Sequence, residues 1–276
     1  MDLRRLRLFL AVVDEGGFTA AATAVHVAQP AVSLAVRELE AELGAPLLVR
    51  SRRGVTLTAA GEALVAPARQ ALRDVENAAA AVAAVTGLVG GRLDLASLPT
   101  LAADPVAELV GRFRRAHPGV AVRLAAPYDV EELAEWVRSG TAEVGITEAG
   151  PSNRDLREVR LGDQDLLAVS PAGGPTSTLR LDRLADVPLV LSPPGSSLRD
   201  VVDTALEQAG VTPTVAVEAA QRDALIPLVL AGAGTTFLPN TLARAAAQLG
   251  ATVRSTTPRL RRTIVLVLRP GPLGPA

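Results

Sequence analysis

Residues 18–58 leave the chain few folds to choose from. The run 19–25 is rich in alanine and free of glycine and proline, which suits a short helix. The pattern breaks at 27–30, and Pro30 fits the first turn of a new helix, where its missing N–H forfeits no bond. From there Val32, Val36, Leu39 and Leu43 recur at spacings of four, three and four, one apolar stripe along a helix. Gln29, Ser33 and Arg37 recur at spacings of four on what is expected to be the outer face. Gly44, tolerant of left-handed backbone, should end the segment. Two short helices joined by a tight turn, the second polar outside, read as a helix-turn-helix.

An amphipathic helix with an outward arginine is common on protein surfaces, so the sequel matters. Residues 47–58 read as a short extended run, a polar tip Arg50-Ser51-Arg52-Arg53-Gly54, and a second run. A β-ribbon with a basic tip directly after such a helix is a wing placed to hold phosphates. The net charge of −1 does not advertise nucleic-acid binding, and no lysine is present. Placement argues instead: Arg4, Arg5 and Arg7 fall on the first helix and Arg50, Arg52 and Arg53 at the wing, with Glu38, Glu40 and Glu42 expected to face elsewhere.

Phe18-Thr19-Ala20-Ala21-Ala22, Gln29-Pro30-Ala31-Val32-Ser33, Leu39-Glu40, Leu43-Gly44, Leu47, Arg50 and Leu57-Thr58-x-x-Gly61 together resemble the signature of LysR-type transcriptional regulators. Departures exist. Ala28 stands where the family often has Ser or Thr, removing an N-cap worth roughly 1 kcal/mol. Leu34 and Leu48 replace a frequent Arg and a frequent Phe. The residues expected against double-stranded DNA are Thr19, Gln29, Pro30, Ser33, Leu34 and Arg37, with Arg50, Arg52 and Arg53 from the wing.

Leu3, Leu6, Leu10 and Val13 form a stripe expected to brace the helix-turn-helix, and Gly16-Gly17 turns the chain. Thr58 is placed to cap a helix running to about Thr86, with Leu64, Ala68, Leu72, Val75, Ala79 and Val82 at near-heptad spacings. A seam of that length usually pairs with a second copy of itself; packing on its own domain is the alternative, and Pro67 should kink it. The resemblance makes it the dimerising linker helix. Glycines in 87–91 mark a boundary, after which strand and helix patterns alternate as in a doubly wound sheet. Strands are expected at 92–96, 120–125, 143–147, 166–170, 189–191, 214–217, 235–238 and 263–268. Helices are expected at 100–116, 130–139, 181–185, 197–209, 222–231 and 241–249.

The resulting fold class is α/β with an N-terminal all-α winged helix-turn-helix, a long linker helix and a two-lobed effector domain resembling type 2 periplasmic binding proteins. The divisions are 1–58, 59–88 and 89–276, with lobe I about 89–162 plus 265–276 and lobe II about 163–264. Hydrophobic residues at 49% supply ample cores, packed by Val, Leu and Ala because aromatics are 2%. No apolar run approaches the roughly 18 residues of a membrane span, and Met1-Asp2 leads into a helix, not a signal peptide. Without cysteine there is no disulfide framework or thiolate metal site. A cytoplasmic protein is expected.

Catalytic candidates are lacking. His26 and His117 fall in different domains, and the glycines at 87–91 precede a strand where a dinucleotide loop must follow one. No metal or cofactor is expected. Binding is better supported: Ser97 and Thr100 follow a strand and open a helix, where ligands of open α/β sheets and anions are held. The resemblance adds Ser196 and Ser197 from the second lobe, with Thr147 and Gln221. With no arginine placed between them, a small polar or anionic effector held by neutral donors is the expectation, in a homodimer or homotetramer. The alternatives are a solute-binding or enzymatic module, and an architectural protein with a ligandless second domain.

Overall fold

The computed structural model describes residues 1–51, 54–85 and 91–270, and of residues 50, 51, 76, 77 and 80–85 the backbone alone. Arg52, Arg53, most of the expected boundary at 87–91 and the tail 271–276 lie outside the described residues. Helix α1 (Leu3–Asp14) starts at Asp2, whose carboxylate accepts from the Arg4 amide at 3.0 Å. It buries Leu6, Phe9 and Leu10 against α2 (Phe18–Ala24) and α3 (Gln29–Leu43), which meet at 110°. Helix α3 begins at Ala28 without a side-chain cap and ends at Gly44, whose φ is 70°. Val32, Val36 and Leu39 enter the core, while Leu43, expected on the same stripe, stays exposed past the end of the packed face.

Strands β1 (Leu48–Ser51) and β2 (Gly54–Leu57) pair antiparallel as a wing. Glu40 turns inward, and its Oε1 accepts from the amides of Leu47 at 2.8 Å and Leu48 at 3.3 Å, fixing where the wing begins. Thr58 Oγ1 accepts from the Gly61 amide at 3.0 Å and donates to the Pro46 carbonyl at 2.7 Å. One hydroxyl thus caps α4 (Ala59–Val85) and ties it to the turn before the wing. Helix α4 continues through Pro67. Its first turns pack on the N-terminal core through Val65 and Ala68, with Leu64, Ala71 and Leu72 half-buried beside them. Val75 is 48% exposed, so the apolar stripe opens to solvent one turn later.

The next unit runs β3 (Gly91–Ser97), α5 (Pro99–Leu101), α6 (Ala107–Ala116), β4 (Val120–Ala125), α7 (Val130–Arg138), β5 (Val144–Glu148) and β6 (Arg157–Ser170). It continues with β7 (Leu179–Arg180), β8 (Pro188–Leu191), α8 (Ser197–Gln208), β9 (Thr214–Glu218), α9 (Leu225–Leu230) and β10 (Thr236–Pro239). It closes with α10 (Asn240–Gln248), β11 (Thr252–Arg254), β12 (Thr256–Thr257) and β13 (Leu260–Leu268). The single helix expected over 100–116 is interrupted at Asp104, which takes an extended φ of −154°. A residue preceding proline is pushed out of the helical region, and Pro105 follows. The strand expected at 166–170 is the end of a longer one, because β6 runs for 14 residues from Arg157 to Ser170. The helix expected at 181–185 is a turn at Leu181–Arg183, and that at 222–231 divides into a turn, Arg222–Ala224, and α9. Strands β7, β11 and β12 are too short to carry a period.

The main sheet has the order β10-β6-β13-β5-β3-β4, with β11 also on β6. Strand β3 is parallel to β4 and β5, while β13 is antiparallel to both β5 and β6. Lobe I gathers α5, α6 and α7 around β3, β4 and β5, over a core that includes Leu98, Leu133, Val137 and Ile146. Lobe II gathers α8, α9 and α10 around β8, β9 and β10, with Leu189, Leu198, Phe237 and Val190, Leu225, Ala243 inside. Strands β6 and β13 pass through both lobes, and their register shifts between Ile264 and Val265, opposite Gly162.

Polar contacts fasten α4 to lobe I. Arg73 Nη1 donates to the Gly140 carbonyl at 2.6 Å, and Arg269 donates to Gln70 Oε1 at 2.8 Å and to the Val137 carbonyl at 2.9 Å. Burial, with Arg269 nearby, brings the Arg73 pKa down to about 10. Elsewhere, Gly61 has no room for a side chain: a Cβ would run into the Leu47 carbonyl oxygen and lie 2.8 Å from Leu57 Cδ2. Gly61→Ala should therefore destabilise the N-terminal domain by roughly 1–3 kcal/mol, read as an earlier urea midpoint; an unchanged midpoint would mean that the wing yields freely.

Candidate DNA-facing surface and interlobe cleft

Thr19 on α2 and Pro30, Leu34 and Arg37 on α3 are exposed. Ser33 is not: it is 3% exposed and its hydroxyl accepts from Gln29 Nε2 at 3.0 Å, with Gln29 itself half-buried. A period of four drifts around a helix of 3.6 residues per turn. Ser33 therefore faces inward to a hollow of about 200 Å³ lined by Phe18, Val36, Arg37, Glu40 and Leu48. The outer face of α3 centres on Pro30, Leu34 and Arg37, which corrects the stripe drawn through Ser33. Arg5 also departs from expectation, since it pairs with Glu38 and Glu42 at 3.0 Å each. Arg4, Arg7 and Arg37 remain exposed. The Arg50 side chain, Arg52 and Arg53 lie outside the described residues.

The cleft forms where the carboxyl ends of β3 and β5 in lobe I meet the start of α8 in lobe II. Sequence reasoning placed Ser97, Thr100, Thr147, Ser196 and Ser197 here, and all five are buried; Gln221 is exposed. What it missed stands between them. Arg262 of β13, its side chain 1% exposed, pairs with Glu148 Oε1 at 2.7 Å. Its Nε and Nη2 donate to Gln164 Oε1 of β6 at 2.8 and 2.6 Å, and Nη2 also donates to Thr100 Oγ1 at 3.1 Å. Ser197 donates to the same Glu148 oxygen from the other lobe. Gln164 Nε2 completes the set by donating to the Asp104 carbonyl at 2.8 Å, which the break before Pro105 exposes.

The expectation that no arginine stands between these hydroxyls is thereby overturned. Thr100 and Ser197 are turned onto a buried ion pair, Ser196 donates to the Pro193 carbonyl at 2.9 Å, and Ser97 to the Leu98 carbonyl at 3.2 Å. Burial pushes the Arg262 pKa down and Glu148 opposes the shift, so the guanidinium stays charged. The network joins both lobes and both hinge strands. It gives the cleft a charged floor with hydroxyls at each helix start, which is binding chemistry. Among the described residues no group of His, Cys, Asp and Glu is disposed to hold a metal.

A winged helix-turn-helix joined by a long helix to a two-lobed binding domain defines a DNA-binding regulator with a ligand module. The family model described as "Bacterial regulatory helix-turn-helix protein, lysR family" matches residues 3–62, and "LysR substrate binding domain" matches residues 86–276. HTH-type transcriptional regulator IlvR of Caulobacter vibrioides is 36% identical over 261 residues, covering 89% of this chain and 85% of that protein. HTH-type transcriptional regulator TfdS of Cupriavidus pinatubonensis is 33% identical over 249 residues, with 88% and 84% covered. A full-length OxyR variant from Pseudomonas aeruginosa superposes with a TM-score of 0.77 at 26% identity, over 98% of this chain and 89% of that one. CbnR complexed with its target DNA gives 0.67 at 27% identity, over 100% and 96%. The chain belongs to the LysR family of transcriptional regulators. It is a DNA-binding regulator with an effector-binding domain and not an enzyme.

Removing one member of a buried ion pair costs about 3–5 kcal/mol, because the other charge is stranded. Glu148→Leu and Arg262→Met should each lower stability on that scale, while the double variant should lose clearly less than the sum. Strictly additive losses in chemical denaturation would show that the two side chains do not act as a pair.

Proposed function

We propose that this regulator works in the cytoplasm as a homodimer or a pair of dimers on an interrupted palindrome, switched by a small polar or anionic effector between its lobes. The observation that carries the reading is the floor network itself. Its polar groups come from lobe I, lobe II and both strands between them, so a ligand that competes for any of them shifts how the lobes meet. Such a ligand acts only through its preference for one arrangement, typically worth roughly 1–3 kcal/mol. Among the described residues no single helix is long and apolar enough to cross a membrane, which fits the cytoplasmic assignment.

On DNA, Thr19, Pro30, Leu34 and Arg37 face the major groove, with Gln29 at the edge of that face and Ser33 supporting Gln29 from behind. The wing arginines Arg50, Arg52 and Arg53 hold phosphates. CbnR, crystallised with its target DNA, supports this use of the shared fold. Arg37→Ala should weaken binding to the intergenic DNA upstream of the gene by roughly 1–3 kcal/mol and leave random DNA nearly untouched. Arg52→Ala should weaken both and lower the salt slope by about one unit. Fluorescence anisotropy over a salt series separates the two; equal effects from both variants would refute this division.

Assembly uses the part of α4 that its own domain leaves open, beginning at Val75. A two-fold protein then matches a two-fold site. Val75→Arg, set beyond the packed Leu72, should yield monomers that fold normally and bind DNA poorly. Light scattering that finds the wild-type protein monomeric at micromolar concentration would remove the dimer.

A further inference from the structure

Strand β10 runs straight into α10, so the residue ahead of this helix is Pro239, whose side chain can cap nothing. The first amides of a helix need acceptors, and a negative charge beside them is favourable. Here the acceptor comes from the other lobe. Asp104 of lobe I reaches across, and its Oδ2 accepts from Thr241 Oγ1 at 2.7 Å and from the Thr241 amide at 3.4 Å. Asp104 is set in place by the extended backbone ahead of Pro105 and by its carbonyl, which accepts from Gln164 Nε2 at 2.8 Å. One residue is thus bonded to a hinge strand through its main chain and to lobe II through its side chain.

This contact lies across the hinge strands from the cleft floor. Successive residues of a strand point to opposite faces. Leu166 and Ala168 of β6 pack with Leu198 and Val202 of α8, whereas Val169, with Leu167 beside it, packs with Ala243 and Ala246 of α10. Helices α8 and α10 therefore cover opposite faces of β6, and Gln164 lies on the α8 face with its cross-strand neighbour Arg262. Ser197, at the start of α8, meets Glu148 of lobe I on that side. Thr241, near the start of α10, meets Asp104 on the other. A groove of about 530 Å³ opens beside this second contact, lined in part by Asp104, Asp163, Asp165, Asn240 and Arg261. Asp163 and Asp165 are matched along the hinge by Arg160 and Arg261, at 2.8 Å each. Asp104 instead spends its carboxylate on the opposite lobe, in a contact open to water because Thr241 is exposed.

We infer that the Asp104–Thr241 contact is a latch: it holds lobe II back from the cleft in the ligand-free protein and parts when the lobes close on an effector. This rests on the cleft being the effector site. The two side-chain contacts stand on either side of the hinge strands, so a rotation of lobe II that narrows the gap on the α8 side widens it on the α10 side. One partly exposed hydrogen bond shifts such a balance by about three- to tenfold. That is enough to bias a two-state arrangement and little enough for a bound ligand to overcome.

The chain has no cysteine, so two introduced ones carry labels without background. Glu108, four residues after Asp104, and Arg244, three after Thr241, are both exposed. Spin labels at Glu108→Cys and Arg244→Cys of the full-length protein, diluted with unlabelled chains, report the latch-side separation by pulsed electron resonance without any ligand. The parent should give one short distance. Thr241→Val, which keeps the shape and removes the hydroxyl, should add a longer one, and Thr241→Ser should not. In the unlabelled protein, a reporter driven by the intergenic DNA upstream of the gene should change its ligand-free output about three- to tenfold with Thr241→Val and hardly at all with Thr241→Ser. Thr241→Ala, a second way of removing the hydroxyl, should repeat the valine result; disagreement between the two overturns the latch. A Thr241→Val distance equal to or shorter than the parent's also overturns it and leaves the effector cleft as proposed. A longer distance with unchanged output overturns the inference differently, because the reading of lobe movement as the switch then fails as well.

Discussion

Arg262 is carried into the cleft by the pairing of β13 with β6, and once there its charge has to be met by the groups around it. In a strand, alternate residues share a face. Leu260 and Ile264 point into packed apolar surroundings, and Arg262 between them has no route to solvent. Glu148 supplies the charge, Gln164 the acceptor for two N–H groups, and Thr100 a further acceptor. Each partner is fixed by a different element, so the geometry of one side chain constrains β5, β6, α5 and the start of α8 together. The break at Asp104 belongs to the same arrangement, since it frees a carbonyl for the Gln164 amide.

Much of the architecture was legible from patterning. The helix-turn-helix, the wing, the Thr58 cap and the alternation of the α/β unit follow from apolar spacing and from turn residues. The shorter strands and the divided helices were not legible, because two or three residues hold no period and a proline's effect on its predecessor is local. In the cleft, position gave Thr100 and Ser197 but not their partners. Arg262 sits in the run Arg259-Leu260-Arg261-Arg262, which reads as a solvated basic stretch until the strand register is known. The usable signal was alternation: Leu260, Arg262 and Ile264 occupy one face, and an ionisable residue on an apolar face calls for a partner.

The N-terminal domain shows how little net charge says about where charge is available. Arg5 is taken by Glu38 and Glu42, and Glu40 is occupied with the amides that start the wing. Pairing of this kind withdraws acid and base alike from the surface, and among the described residues the basic groups left outside in this domain lie along α1, at Arg4 and Arg7, and on the outer face of α3, at Arg37. Ser33 illustrates the complementary point. A polar side chain at helical spacing from two others can still be interior when a neighbouring helix and a ribbon close over it, and its hydroxyl then orders a longer side chain that reaches further out.

The fastening of α4 to lobe I bears on how motion is shared between the parts. Arg73 and Arg269 grip main-chain carbonyls at the end of α7, at Val137 and Gly140, and Gly140 has φ of 72° with no space for a Cβ beside the two guanidiniums. Main-chain acceptors do not change rotamer, so this joint has no slack of the side-chain kind. The linker and lobe I are thus coupled through backbone carbonyls, whereas lobe II meets lobe I through two strands and through side chains, Ser197 on Glu148 and Thr241 on Asp104.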